Sequence, residues 1–274
     1  VPKTKKELEE LYQYHITRIR KLDPKFNPNF FKKWFMERIE TVTAVFDSAM
    51  IMRCFMIWQD MQRGYDHFVV IAGGEGFGKS TLSFQMASWV NPNFKLENVC
   101  YGARKYIEIL QKKARVCLNK KEEEVEKESL VMDEGTELLS KDALTKTNKV
   151  IIKTTFIQRR LKYLVIINIP NFFLLDTTIR SHRTKTLVEI TKRGKYKCIT
   201  GKAISLVAQY GLKNKKISSV KIPNGTFWHG DFTKHFPRNI DPEEYDVVKL
   251  VGIDETLNTL SEDLNNDKTP RKKP

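Results

Sequence analysis

Positions Leu8, Leu11, Tyr12, His15, Ile16 and Ile19 recur at helical spacing on one face, which predicts a helix over 4–22 with lysine and arginine filling much of the rest. Asp23-Pro24 and Asn27-Pro28 end it, because proline restricts the residue before it and has no N–H to donate. From about Asn29 to Arg63 the large apolar residues Phe30, Phe31, Trp34, Phe35, Ile39, Val42, Phe46, Met50, Ile51, Phe55 and Trp58 predict a second helix or a pair of helices. So wide an apolar stripe has to be buried, either on the rest of this chain or on a neighbouring subunit.

The period then changes. His67 to Ala72 (HFVVIA) is a short apolar run expected of a buried strand, and Ser80 to Val90 reads as a helix stopped by Asn91-Pro92-Asn93. A short strand over Asn98–Tyr101 precedes a helix over Ala103–Leu118, carried by Tyr106, Ile107, Ile109, Leu110 and Ala114. Asn119 to Glu128 is a mixed charge run, read as a solvated loop or helix end. Ser129 to Gly135 (SLVMDEG) is an apolar strand ending in two acids, and Tyr163 to Ile169 (YLVIINI) is a second buried strand. Between them Ser140–Lys162 reads as a helix rich in lysine and arginine, either a DNA-facing surface or a solvated face.

Thr186–Thr191 and Lys195–Thr200 read as strands of a hairpin turning at Lys192-Arg193-Gly194. A second basic hairpin-like segment is expected around Lys213–Lys221. The aromatic-rich Phe227–Pro237 is expected to dock back on the core, and Asp241–Leu260 to form a small terminal helical element. Asn265–Pro274, charged and containing proline, reads as a disordered tail. The chain thus divides into an N-terminal helical part (1–63), a core of alternating strands and helices (64–212), a C-terminal extension (213–264) and the tail (265–274).

Composition changes this picture in one respect. At 274 residues, 41% hydrophobic and 30% charged, the chain is ordinary for a globular protein, but 48 Lys+Arg against 33 Asp+Glu leave +15. Such an excess favours a polyanionic partner, nucleic acid first and an anionic membrane surface second. Cys54, Cys100, Cys117 and Cys198 are scattered without a C-x-x-C pair, which points to neither zinc nor a disulfide framework. His229 and His235 are read as structural. The longest apolar run, Tyr163–Leu175, is too short and too interrupted to cross a bilayer, and no signal-peptide pattern opens the chain.

The chemistry concentrates after the first strand. Gly73-Gly74-Glu75-Gly76-Phe77-Gly78-Lys79-Ser80 satisfies G-x-x-x-x-G-K-[ST] at every fixed position, and Thr81 is the next residue. Glycines there let successive backbone N–H groups turn inward around phosphate oxygens, and the helix after the loop directs its positive end at them. Lys79 is the side chain for the β- and γ-phosphates, and Ser80 for Mg²⁺. The acid pair lies about fifty residues on: Asp133 is placed to hold Mg²⁺ or one of its waters, and Glu134 to orient and deprotonate the water that attacks the γ-phosphate. Asn168, at the end of the strand beside that acid, is the candidate sensor of the γ-phosphate or of the attacking water. Arg180 is the first candidate for an arginine supplied in trans and Arg183 the second, with Arg159 and Arg160 as further possibilities.

Phosphate loop, extra strand, Asp133-Glu134 strand, polar strand end and arginine, in that order, resemble the P-loop ATPases that insert a strand between the two motifs and carry a catalytic glutamate. Asp133-Glu134, the I-N-I-P strand end at Ile167–Pro170 and I-R-x-H-R at Ile179–Arg183 look most like the FtsK–HerA group and the related Zot-like ATPases of viruses and plasmids. Over about residues 65–200 the resemblance implies an α/β fold of the P-loop NTPase kind: a three-layer sandwich on a mainly parallel sheet, with an N-terminal helical extension and a small C-terminal hairpin or helical region. It also implies ATP and Mg²⁺ as ligands, duplex DNA as the partner, and a homo-oligomeric ring, commonly a hexamer, completed by a neighbour's arginine. Asn168 departs from the glutamine usual in the FtsK–HerA group and also resembles the AAA+ class, so the assignment between these groups stays open.

Three functions are therefore in play: a DNA-translocating motor of viral or mobile-element type serving packaging, transfer or replication; an AAA+ helicase or helicase loader; and a nucleotide-dependent assembly factor acting on protein or membrane partners. The expected location is cytoplasmic, in the host cytoplasm if the protein is viral. The chain begins at Val1 instead of Met, which leaves room for the removal of a residue or more.

Overall fold

Each N-terminal helix starts where a side chain can hold its first amides. Thr4 caps α1 (Lys5–Leu22): its hydroxyl accepts from the Glu7 amide while Glu7 reaches back to the Thr4 amide. Asp47 caps α3 (Ser48–Gln62), accepting from Ala49 and Met50 at 2.9 and 3.0 Å, and α2 (Asn29–Val42) lies between the two. The computed structural model describes residues 4–42, 47–118, 127–133, 161–211 and 215–267. Glu134, the basic stretch from Ser140 as far as Arg160, most of the 119–128 charge run, Lys213 and the tail from residue 268 lie outside the described residues.

Seven strands form one sheet in the order β2-β3-β4-β1-β5-β6-β7. They are β1 (His67–Gly73), β2 (Val99–Tyr101), β3 (Ser129–Asp133), β4 (Leu164–Ile169), β5 (Thr186–Lys192), β6 (Lys195–Thr200) and β7 (Phe227–Asp231). Strands β2, β3, β4, β1 and β5 are parallel, and β6 and β7 close the far edge antiparallel. The chain is thus α/β with a mostly parallel sheet. The extra strand expected between the two motifs in chain order, Asn98–Tyr101, is β2 at the edge of the sheet, and it is the later β4 that lies between β1 and β3.

Apolar runs with no polar face make sense here because both sheet faces are covered. Val69, Ile71, Val131, Ile166 and Val188 point to the face packed by α1–α3, by α4 (Lys79–Val90) and by the segment around Phe232 and Tyr245. Phe68, Val70, Leu130, Val165 and Leu187 point to the other face, under α5 (Gly102–Leu118) and α6 (Lys202–Tyr210). Of the two destinations open for the 29–63 stripe, the structure takes the first. Trp34 and Phe35 are buried against Trp89 of α4, with Trp34 5.4 Å from the Trp89 ring, and Phe31 and Phe55 pack behind them, Phe55 5.1 Å from Trp34. Arg38 of α2 donates to the Trp89 carbonyl at 2.8 Å, placing a cation at the carboxyl end of α4. Losing an aromatic such as Phe55 from this cluster costs about 3–5 kcal/mol.

The C-terminal part differs from expectation in three places. The hairpin expected near 213–221 is a single 3-10 turn, Ile217–Ser219, among the described residues: Ile217 is buried and Val220 and Ile222 pack beside it, so the apolar residues go into the core. Phe227–Asp231 is a seventh strand on β6, and Gly230 allows it, since a Cβ there would lie 1.7 Å from Asp47 Oδ2. Helix α7 spans Pro242–Asp267, three residues into the expected tail. Unforeseen from the sequence is α6, although Ala203, Ile204, Val207 and Ala208 have helical spacing.

Candidate nucleotide-binding site

Strands β1, β3 and β4 run parallel, so the segments leaving their carboxyl ends arrive at the same edge of the sheet. Between β1 and α4 lies the loop Gly73–Gly78. Gly76 and Gly78 adopt φ of +70° and +93°, a left-handed backbone that side chains disfavour. At Gly78 space adds to that demand, because a Cβ would stand 3.2 Å from the Phe232 ring. Gly78 is also the N-cap of α4, and no side chain caps that end, so its first amides and the helix dipole are directed into the loop. Lys79 Nζ donates to the carbonyls of Gly73 and Gly74, 3.0 Å each, and so rests over the loop itself. Glu75 is exposed; Phe77, which lies against Gly74, and Thr81 are half-buried.

Below the loop, Ser80 Oγ donates to Asp133, 3.0 Å from Oδ1 and 2.9 Å from Oδ2. Asn168 Nδ2 donates to Asp133 Oδ1 at 2.8 Å and to Ser83 Oγ at 3.1 Å. Tyr245, far along the chain on α7, donates its hydroxyl to Asp133 Oδ2 at 2.7 Å. Burial, and then the adjacent Asp133 carboxylate, push the Tyr245 phenol well above its usual pKa, so it acts as a neutral donor. Asp133 and Asn168 are 2% and 0% exposed, out of reach of bulk water.

These residues fit Mg²⁺ and a polyphosphate. Ser80 Oγ and the Asp133 carboxylate are adjacent hard oxygen donors, few enough to suit an ion that keeps several of its waters. Asn168 Oδ1 is buried and accepts no hydrogen bond among the described residues, an acceptor suited to an ordered water. Bound Mg²⁺ there would supply charge neutralisation at the phosphates.

The structure thus gathers Lys79, Ser80, Asp133 and Asn168 in one place. Arg180 and Arg183 are elsewhere. Arg180 is 3% exposed and donates to the carbonyls of Phe173 (3.0 Å) and Leu175 (3.2 Å) and to Thr177 Oγ1 (3.2 Å). Arg183 is buried in an ion pair with Asp66, just before β1, at the opposite end of the strand from the phosphate loop. Both sit in the turn Ile179–Arg183 that leads into β5. Arg159 and Arg160 lie outside the described residues.

Three participants escaped the sequence reading. Ser83 lies one helical turn past Ser80, a spacing visible in the sequence, and accepts from Asn168. Phe232 lies in the segment expected to dock on the core and Tyr245 in the expected terminal helix, but nothing local aims either at the site; long-range packing brings them there.

No protein-family model and no curated protein matches this sequence. Among solved structures, a DNA polymerase III gamma subunit-related protein from Thermotoga maritima is similar with a TM-score of 0.35 and 13% identity, over 50% of this chain and 45% of its own. This chain therefore spans less than half of that protein's length. The N-terminal domain of zonular occludens toxin from Neisseria meningitidis is similar with a TM-score of 0.36 and 14% identity, over 66% of this chain and 98% of its own. Among the described residues no helix is long and apolar enough to cross a membrane. The glycine loop between β1 and α4, the acid ending β3 and the interposed β4 make up a mostly parallel α/β fold of the P-loop NTPase kind.

Proposed function

We propose that this chain binds Mg²⁺–ATP at the loop of residues 73–80, hydrolyses it, and uses the hydrolysis to move DNA. The observation that carries the ATPase part is the contact of Ser80 and Asn168 with Asp133 beneath the loop, at 2.8–3.0 Å. In this reading Lys79 leaves the Gly73 and Gly74 carbonyls for the phosphates. Ser80 and Asp133 hold the metal and its water shell, and Asn168 offers its unpartnered Oδ1 to a water near the γ-phosphate. Glu134, the next residue after Asp133, deprotonates the attacking water.

The DNA part is supported by charge and its position. Ile190 of β5 pairs with Gly73, so the turn at Arg193-Gly194 stands beside the phosphate loop. That turn exposes Lys192, Arg193 and Lys195, on a chain of net charge +15. Phe232 connects the two features, donating its amide to the Gly194 carbonyl at 3.0 Å while its ring lies on Gly78. A copy of this chain in a ring would complete each site with an arginine. For Arg180 or Arg183 to serve, the guanidinium would first have to leave the buried partners that hold it.

The test is the ATP hydrolysis rate of the purified chain with and without long duplex DNA, at several protein concentrations. Stimulation by DNA that steepens with protein concentration is the expected result. A rate indifferent to both would remove DNA movement and shared sites from the reading and leave a self-contained ATPase.

A further inference from the structure

The Asp133 carboxylate is held from three directions by three separate parts of the chain. An ionised carboxylate offers about four acceptor positions. Asn168 of β4 takes one on Oδ1, and Tyr245 of α7 takes one on Oδ2. Ser80 of α4 lies within reach of both oxygens, but its single hydroxyl hydrogen serves one at a time. Among the described residues these three donors leave one position free, which is the number a single metal-held water needs.

The third donor is held rigidly. The Tyr245 ring stands edge-on to Phe84 (5.1 Å) and Phe236 (5.2 Å), and α7 is pinned two turns further on at Gly252, where a Cβ would lie 2.4 Å from Tyr101 Cβ. The segment leading into α7 is fastened to α4: Gln85 donates to the carbonyls of Thr233 (3.1 Å) and His235 (2.6 Å), and Asn239 to Ser88 Oγ (3.1 Å) and the Phe94 carbonyl (2.7 Å). Because α4 is also the helix that leaves the phosphate loop, the loop and Tyr245 are built on one support. Phe84 and Phe236 show that phenylalanine serves for packing in this cluster, so the hydroxyl of Tyr245 has a separate use.

We infer that Tyr245 is a positioning residue of the metal site: its hydroxyl, brought by the C-terminal helix, fixes Asp133 in the orientation that leaves one carboxylate position open to a metal-held water. The inference rests on the Mg²⁺–nucleotide reading of the loop, and it makes the C-terminal extension part of the nucleotide site. Removing a group that orients a metal-binding side chain typically weakens metal affinity by about 10–100-fold.

The experiment titrates Mg²⁺ against the affinity of the full chain for a fluorescent ATP analogue, with the chelator-treated protein as the metal-free reference. Tyr245→Phe keeps the ring and removes the hydroxyl. It is expected to need about tenfold more Mg²⁺ for half-maximal tightening, with metal-free affinity as in the wild type, since the loop is untouched. Phe236→Leu, which loosens the same cluster without altering the hydroxyl, is expected to lower the melting temperature and leave the Mg²⁺ curve in place. Superimposed curves for Tyr245→Phe and wild type, a shift to lower Mg²⁺, or an equal shift in Phe236→Leu would each overturn the role of Tyr245 and leave the nucleotide reading standing. A wild-type affinity indifferent to Mg²⁺ would overturn the metal site and the tyrosine together.

Discussion

The two ends of the parallel strands carry equally conspicuous polar residues and use them in opposite ways. At the carboxyl end, Lys79, Ser80, Asp133 and Asn168 meet with capacity left over among the described residues: uncapped α4 amides, an unpartnered Asn168 Oδ1 and a carboxylate position to spare. At the amino end, Arg53, Asp66, His67, Arg183, Lys185 and Thr186 pair mostly with one another, although His67 Nδ1 is buried without a hydrogen bond among the described residues. Arg53 Nε donates to Thr186 Oγ1 at 3.0 Å and its NH2 meets His67 Nε2 at 3.1 Å, while Arg183 and Lys185 both hold Asp66. Charge alone does not mark a site. What marks one is spare polar capacity gathered beside a glycine loop and a helix N-terminus that no side chain caps.

The sharpest way to break this comparison is at the carboxyl end. Glu134→Gln is expected to lower ATP turnover by about 10²–10⁴ with nucleotide binding retained, as for loss of a general base. Normal turnover in that variant would remove the hydrolytic assignment. At the amino end the expected effect is on stability instead. Arg183→Ala leaves Asp66 buried beside Lys185 alone and is expected to cost about 3–5 kcal/mol in denaturant unfolding, with unchanged affinity for nucleotide in the folded fraction. A variant of wild-type stability whose turnover collapses would mean that Arg183 acts on a neighbour's phosphates after all. Arg180→Ala strips donors from two buried carbonyls and is expected to cost about 1–3 kcal/mol, again read by unfolding.

A further effect is a pH dependence. Burial, then the Arg53 and Lys185 charges, hold His67 well below its usual pKa, with Asp60 3.7 Å away as the nearest carboxylate; burial, then Arg18, lower His15 to about 4. Both rings are neutral in the folded chain and take up protons on unfolding once the pH falls below about 6.5. Their contribution is therefore intact above that value and is lost as the pH drops, by up to about 1.4 kcal/mol per pH unit for each ring. Asp66 behaves differently in range: burial would raise its pKa, but Arg183 and Lys185 outweigh burial and lower it, so its share is lost only below about pH 4. Denaturant midpoints measured from pH 7 to pH 5 check the histidine part, and a flat profile would contradict the neutral, buried rings.

How legible was all this beforehand? The loop at 73–80 could be read from spacing, because backbone sign and phosphate approach are demands on consecutive residues. Asp133 and Asn168 could be read from their places at strand ends, since parallel strands bring their carboxyl ends to one edge. The arginines of Ile179–Arg183 could be seen but not interpreted, because the partner that holds Arg183 lies 117 residues earlier in the chain. Residues 227–231 mix aromatic, histidine and glycine without a clean alternation, so their strand pairing was hidden; it depends on Asp47, which accepts from Tyr196 and the Asp231 amide.

By itself the sequence determined strands β1 to β6, helices α4 and α5 and the spacing of the 73–80 loop and its acid, since each of these rests on local periodicity or on a few adjacent residues. Tertiary structure alone decided that the N-terminal helices pack on α4, that Arg180 and Arg183 are spent internally, and that Tyr245 reaches Asp133 across 112 residues. The reason is physical: a hydrogen bond or a buried contact depends on distance in space, and distance in space between remote residues is set only once every layer of the core has packed.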